Sequence, residues 1–260
     1  MGVVNPTVLV YHKVDDNVEW GVTRVTTANF RNQIDLLLYK GYSFKTLSEI
    51  KNDGSNNKSV AITFDDAYES VFFNAYPVLK AHSLPATIFV ISDFVGKDNT
   101  WDLNVGNIKF KHASWDQLRI MKDSGWEIGS HSKTHRDMRT LETVDLKNEL
   151  KESKAILERE LESEVKIISF PFGKASTSVI DAAIEAEYES GTIFHPYRQR
   201  FNEKHQAFLI KRLGVYLWDY KFFFKSKLRS SPFRPLEIFK QNVLNGFANI
   251  TIFSQGRKKQ

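Results

Sequence analysis

Two aspartates stand side by side at Asp65 and Asp66, directly after the run Ala61-Ile62-Thr63-Phe64. Adjacent carboxylates at an apolar strand end repel each other unless a proton or a cation intervenes. A divalent metal removes that cost for one of them and leaves the other free to act as a base. The competing reading is a solvated loop or a helix N-cap, both of which Asp favours. His131 and His135 are four residues apart and reach one ion if the chain turns helically between them. A His-x-x-x-His pair alone describes two surface histidines equally well. Joined to a strand-end Asp, it becomes the two-His, one-carboxylate set that holds a divalent metal with open positions, and open positions mark a catalytic rather than a structural centre. The chain contains no cysteine, so any metal must sit on His, Asp or Glu. Non-haem iron oxygenases use the same triad, but the neighbouring free carboxylate favours hydrolysis, in which a base deprotonates the attacking water.

Such residues need rigid elements to gather them. Short β-branched or aromatic runs alternate with helical patterns along the chain. Strands are expected at Val8–His12, Val60–Phe64, Ala86–Ile91, Glu127–Ser130, Val165–Phe170, Gly191–His195 and Phe208–Val215. Between them, Phe30, Ile34, Leu37 and Leu38 follow the helical period, with Gly41 placed to end it. Ser114 and Gln117 form a capping-box pattern before Leu118 and Met121, and Gly125 suits the position after the helix. Further helices are expected from about Val144 to Leu161 and from Ser178 to Tyr188. This alternation predicts an α/β fold with a parallel sheet and helices outside it. Seven strands suggest a closed or nearly closed barrel, with a doubly wound sheet as the alternative. Either way, active groups belong at the C-terminal ends of the strands. Tyr11-His12, Asp65-Asp66, His131 and Phe170-Pro171-Phe172-Gly173 all fall there.

In order, Val-Leu-Val-Tyr-His-Lys-Val from Val8, Ala-Ile-Thr-Phe-Asp-Asp-Ala-Tyr, Leu-Pro-Ala-Thr-Ile-Phe-Val, Gly-Trp-Glu-Ile-Gly-Ser-His-Ser-Lys-Thr-His and Phe-Pro-Phe-Gly resemble the polysaccharide deacetylases of the NodB-homology family. The resemblance runs from about Val8 to Val215 and looks nearest the subgroup acting on poly-β-1,6-N-acetylglucosamine. It implies a distorted (β/α) barrel of about seven parallel strands over residues 1–215, followed by a basic, aromatic extension over 216–260. It also implies that Asp65 is the general base and that Asp66, His131 and His135 bind a divalent ion. That ion is most often zinc, with cobalt, nickel or manganese as alternatives. Pro171, Phe172 and Gly173 would border the substrate, with a backbone N–H near Phe172 facing the oxyanion.

The sequence departs from the family pattern in three places. Ser169 stands where most members carry the arginine that orients the base. Arg212 could substitute, a salt-bridge or surface arginine being the competing reading. The late Leu-x-His motif that supplies the general acid is missing. His12 and His195 both fall at strand ends, and His12 is favoured because a Tyr-His strand opens the similar subgroup. Ala67 replaces a common Gly. His82, His112 and His205 are set aside as lying in helices or loops without partners.

The expected activity is removal of N-acetyl groups from amino sugars in a polysaccharide or glycolipid precursor. An O-acetyl esterase or amidase of the same fold is an alternative, as is an inactive sugar-binding protein. The chain's 260 residues, 42% hydrophobic and 26% charged, allow one large α/β domain. The net charge is +5, yet residues 221–260 hold nine Lys or Arg against the single acid Glu237. That +8 leaves −3 for the rest of the chain. Trp218, Tyr220, Phe222, Phe223, Phe224, Phe233 and Phe239 are interleaved with these bases. This pattern fits packing on the barrel, or peripheral contact with an anionic membrane. No nucleic-acid module is recognisable, so no nucleic-acid partner is expected. Met1–Pro6 has no basic n-region and Val8–Val10 is too short for a signal core, which predicts a cytoplasmic protein, peripheral on the inner membrane surface.

Overall fold

The computed structural model describes residues 6–17, 22–52, 58–100, 109–197, 199–228 and 231–244. In chain order the elements are β1 (Thr7–Tyr11), β2 (Lys13–Val14), β3 (Arg24–Val25), α1 (Thr27–Tyr39), β4 (Ser43–Phe44), α2 (Leu47–Asn52), β5 (Ser59–Phe64), α3 (Tyr76–Lys80), β6 (Thr87–Val90), α4 (Trp115–Asp123), β7 (Glu127–Ser130), α5 (Thr143–Leu161), β8 (Ile167–Ser169), α6 (Thr177–Glu185), β9 (Ser190–Phe194), α7 (Glu203–Phe208), β10 (Leu209–Gly214) and α8 (Lys221–Lys227). Residues 234–244 are also helical.

All seven expected strands are present, each within two residues of its predicted ends. They pair in parallel in the order β1-β10-β9-β8-β7-β6-β5, and β1 closes the ring by pairing with β5 as well. The open doubly wound sheet is therefore excluded, and the fold is a distorted (β/α) barrel of seven strands. The short β4 joins β5 outside the closed ring. Strands covered on both faces read as nearly continuous apolar runs, and every residue of β1, β5 and β6 is buried.

The helices form where local chemistry supports them. Thr26 caps α1 by accepting from the Asn29 N–H at 3.2 Å, and Gly41 beyond its end takes φ +71°. Only a residue without a Cβ adopts that region freely. The capping box of α4 is complete, with Ser114 and Gln117 each bonding the other's backbone. In α5, Leu146, Leu150, Leu157 and Leu161 line the buried face. Among the described residues no helix is long and apolar enough to cross a membrane.

Beyond β10 the chain turns back onto the barrel. Asn29 and Gln33 of α1 donate to the Asp219 carbonyl at 3.3 and 2.6 Å. Lys227 is fully buried, donates to the Gly214 carbonyl at 2.6 Å, and pairs with Asp219 at 3.0 Å and with Glu237. Gln241 donates to Gly214 and Glu237 at 2.8 and 2.7 Å. The basic tail thus contains a buried ionic network.

Candidate active site

Asp65 and Asp66 follow β5 without a break, and the Asp65 N–H donates to the Tyr11 carbonyl of β1 at 2.9 Å. Asp66 and Ala67 then take φ +66° and +50°. Two successive left-handed residues turn the chain sharply, so the adjacent carboxylates need not point the same way. The segment 111–113 staples this turn. Ala113 N–H donates to the Ala67 carbonyl at 2.8 Å and Glu69 N–H to the Lys111 carbonyl at 2.8 Å. His112 Nδ1 lies 2.6 Å from the Asp66 carbonyl oxygen, and its ring stacks on Tyr68 at 4.9 Å. His112 therefore has a partner in the site, contrary to the sequence reading. The only sequence signal was its residue type, because 46 positions separate it from Asp66. His205 likewise pairs with Asp181 at 2.9 Å, away from the strand ends.

His131 follows β7, and its N–H donates to the Val90 carbonyl of β6 at 2.8 Å. The chain from His131 to His135 is not a helical turn. Ser132 and His135 take φ +68° and +60°, and the loop is tied by side chains. The His135 N–H donates to Ser132 Oγ at 2.9 Å. Glu149 of α5 accepts from the Lys133 and Thr134 N–H groups at 3.0 and 2.9 Å, and from the Thr134 hydroxyl.

The ligand atoms of Asp66, His131 and His135 lie within 4.8 Å of one another, all three residues being buried. His131 Nδ1 is 2.7 Å from the Ser169 carbonyl oxygen. A carbonyl only accepts, so Nδ1 carries the proton and a neutral ring presents a lone pair at Nε2. That lone pair faces Asp66 Oδ1 at 3.3 Å, and His135 Nε2 lies 3.5 Å from the same oxygen. Asp66 Oδ1 is buried with no hydrogen-bond partner among the described residues. Three such atoms converging in a buried spot can hold a cation, and the donor set fits a divalent metal with open positions. Burial works against charge on Asp66, yet His131 and His135 outweigh it and hold its carboxyl well below the usual range. Burial also lowers His131, but Asp65 and Asp66 prevail and raise its pKa. For His135 burial dominates and pushes the ring down to about 3.

Asp65 belongs to a second cluster. Arg212 of β10, fully buried, grips it with two bonds of 2.7 Å, one to each carboxylate oxygen. The guanidinium also donates to Ser169 Oγ at 2.7 Å and Thr63 Oγ1 at 3.0 Å. It lies over the Phe89 and Phe194 rings. Burial alone would raise the Asp65 carboxyl. Arg212, aided by His131, reverses that and holds it below the ordinary value, so Asp65 is anionic at neutral pH.

His12, directly after β1, lies within electrostatic reach of both aspartates, His131 and Arg212, and burial lowers its pKa against the pull of Asp66 and Asp65. Its Nδ1 is buried without a hydrogen-bond partner among the described residues. Phe172 takes φ +60° in the tight turn Pro171–Gly173, and its ring meets the His135 ring edge-on at 4.9 Å. A Cβ at Gly173 would run into the Phe194 ring. Burial lowers the His195 pKa, helped by Lys211 and Arg234, and His195 is not drawn into the aspartate cluster. The structure thus gathers His12, Asp65, Asp66, His131, His135, Arg212 and the 171–173 turn at one barrel rim.

The profile of the polysaccharide deacetylase family matches residues 52–191. That span holds Asp65, Asp66, His131, His135 and the 171–173 turn. His12 and Arg212 lie outside it, on the neighbouring strands β1 and β10. YxkH of Bacillus subtilis strain 168, assigned by name to the polysaccharide deacetylases, is 27% identical over 194 residues, 73% of this chain and 64% of that protein. The poly-β-1,6-N-acetyl-D-glucosamine N-deacetylase of Staphylococcus aureus strain MRSA252 is 32% identical over 160 residues, 60% of this chain and 52% of that protein. The chain therefore spans about half to two-thirds the length of these relatives. A solved polysaccharide deacetylase from Bacillus cereus superposes with a TM-score of 0.73 at 26% identity, covering 86% of this chain and 69% of that one. With the family profile covering more than half of its residues and the acidic pair and both histidines inside that span, the chain belongs to the polysaccharide deacetylase family.

Proposed function

We propose that the protein is a divalent-metal-dependent hydrolase that removes N-acetyl groups from amino sugars in a polysaccharide or glycolipid precursor. One observation carries the reading. A cation-binding triad of Asp66, His131 and His135 stands beside a separate carboxylate, Asp65, kept ionised by Arg212. The likeness to a relative named for deacetylating poly-β-1,6-N-acetylglucosamine supports the same substrate class.

The metal, zinc in the first instance, supplies Lewis-acid polarisation of the acetyl carbonyl and of the attacking water. The chain's own residues do the rest. Asp65 takes the proton of the attacking water, and Arg212 fixes the carboxylate's orientation and ionisation. The Phe172 N–H donates to the oxyanion as the carbonyl becomes tetrahedral. His12, directly after β1, takes up the proton that Asp65 drew from the water and passes it to the departing amine.

Acetate release from N-acetylglucosamine oligomers by the metal-loaded protein tests this, beside Asp65→Asn and His131→Ala variants. The expected result is metal-dependent release that both variants lose. No release from protein with metal demonstrably bound would overturn it.

A further inference from the structure

The face built by residues 220–228 and 231–244 is unlike the rest of the described surface. Tyr220, Phe222, Phe223, Phe233, Leu236 and Phe239 are all exposed. Ring contacts of 5.6 Å between Phe222 and Phe223 and 5.3 Å between Phe222 and Phe233 join α8 to the chain leading into the helical residues 234–244. Soluble monomers rarely leave a contiguous apolar patch of this kind uncovered. The framework beneath it is fixed by the buried pairs of Lys227 with Asp219 and Glu237, and by Lys240 bonded to the same two acids at their edge. Both acids are therefore neutralised inside the fold. Lys221 and Lys225 stand exposed beside the aromatics.

We infer that this face docks on an anionic lipid surface, with the aromatic side chains at the level of the interface and the lysines against headgroup phosphates. Aromatic rings among bases, on a segment too short and too charged to span a bilayer, suit that arrangement. Charge complementarity selects this occupant. A second copy in a two-fold contact would bring the same cationic face against itself, and a neutral bilayer offers the lysines nothing. β10 ends at the rim that carries Asp65 and His131, and the docking face follows directly from it. A docked chain keeps the barrel mouth close to the surface, where a lipid-linked acetylated sugar would meet it. That last consequence rests on the proposed deacetylase function, whereas the docking does not.

The test is co-sedimentation of the full chain with phosphatidylglycerol–phosphatidylcholine vesicles and with phosphatidylcholine vesicles, at low and high salt. Binding is expected on the anionic vesicles only, weakened by salt. It should fall roughly tenfold or more in Phe222→Ser/Phe239→Ser and in Lys221→Glu/Lys225→Glu, with thermal unfolding and metal binding unchanged. Failure of the unmodified chain to bind anionic vesicles would overturn the inference, as would variants that bind like it. So would a concentration-dependent dimer abolished by the serine pair in the absence of vesicle binding, because the face would then serve self-association. The readout is sedimentation, so its failure is separable from any failure to release acetate.

Discussion

Arg212 reaches Asp65 from the last barrel strand and grips both carboxylate oxygens at 2.7 Å. Ser169, where an arginine is usual in the family that the sequence resembles, accepts from the same guanidinium. The serine and the arginine of β10 thus form one unit around the carboxylate. The arginine that reaches the Asp65 carboxylate comes from β10 rather than from the position of Ser169.

Replacing Arg212 by Met leaves the Asp65 carboxylate buried and uncompensated. Removing one partner of a buried pair costs about 3–5 kcal/mol, so thermal unfolding should show a large drop. Arg212 also depresses the Asp65 pKa, so its loss raises that pKa and moves the acidic limb of the activity profile to higher pH. Arg212→Lys, which keeps charge but loses the two-pronged grip, should retain more stability than Met. An unchanged acidic limb in both variants would show that Asp65 is not the group titrating.

Glu149 ties the loop between His131 and His135 to α5. Glu149→Ala should weaken divalent-metal affinity by about 10–100-fold, the usual cost of removing support behind a ligand. Competition titration with a chromophoric chelator measures this. Equal affinity would mean that the loop holds its shape without the glutamate.

His112 supports Asp66 from the other side. His112→Ala should lower metal affinity by a similar factor, while His112→Asn, which retains an N–H donor, should recover part of it. If Ala and Asn behave alike, stacking on Tyr68 matters and the bond to the Asp66 carbonyl does not.

The metal-free protein should carry a distinctive pH dependence. His131 has a raised pKa, so its contribution to stability is present below about 6.5 and is lost as pH rises through its raised folded value. Asp65 and Asp66 are depressed, so theirs is present above the ordinary carboxylate range and is lost as pH falls through their folded values. His12 and His135, both depressed by burial, also cost stability as pH falls below about 6.5, so thermal unfolding without metal should weaken on both sides of a near-neutral optimum. On the alkaline side a divalent ion should restore stability. A flat profile between pH 6 and 9 would contradict the imidazolium–carboxylate arrangement.

Much of the fold was legible because parallel strands buried on both faces announce themselves as short apolar runs. Val60–Phe64 and Glu127–Ser130 could be placed almost to the residue. Asp66 and His131 were placed by their strand ends, whereas His135 was joined to them through a helical turn that the structure replaces with left-handed residues. The two-residue strands β2, β3 and β4 were missed, being too short to carry a period. His112 was missed because a loop residue has no pattern that names its distant partner. In the tail, Lys227 and Glu237 carry no sequence pattern that marks them as interior. Only tertiary contact with Asp219 and Gly214 reveals that they are interior.

The grip of Arg212 on Asp65 also sets an order in time. A growing polypeptide makes the aspartate on β5 long before it makes β10, and β10 slots between β1 and β9 to close the ring. Until then the carboxylate has no counter-charge and the barrel has a gap along its wall. Completion of the wall and pairing of Asp65 with Arg212 thus depend on the same strand. A ribosome-bound intermediate lacking the final strand would contain Asp65, Asp66, His131 and His135 but lack the guanidinium that grips Asp65.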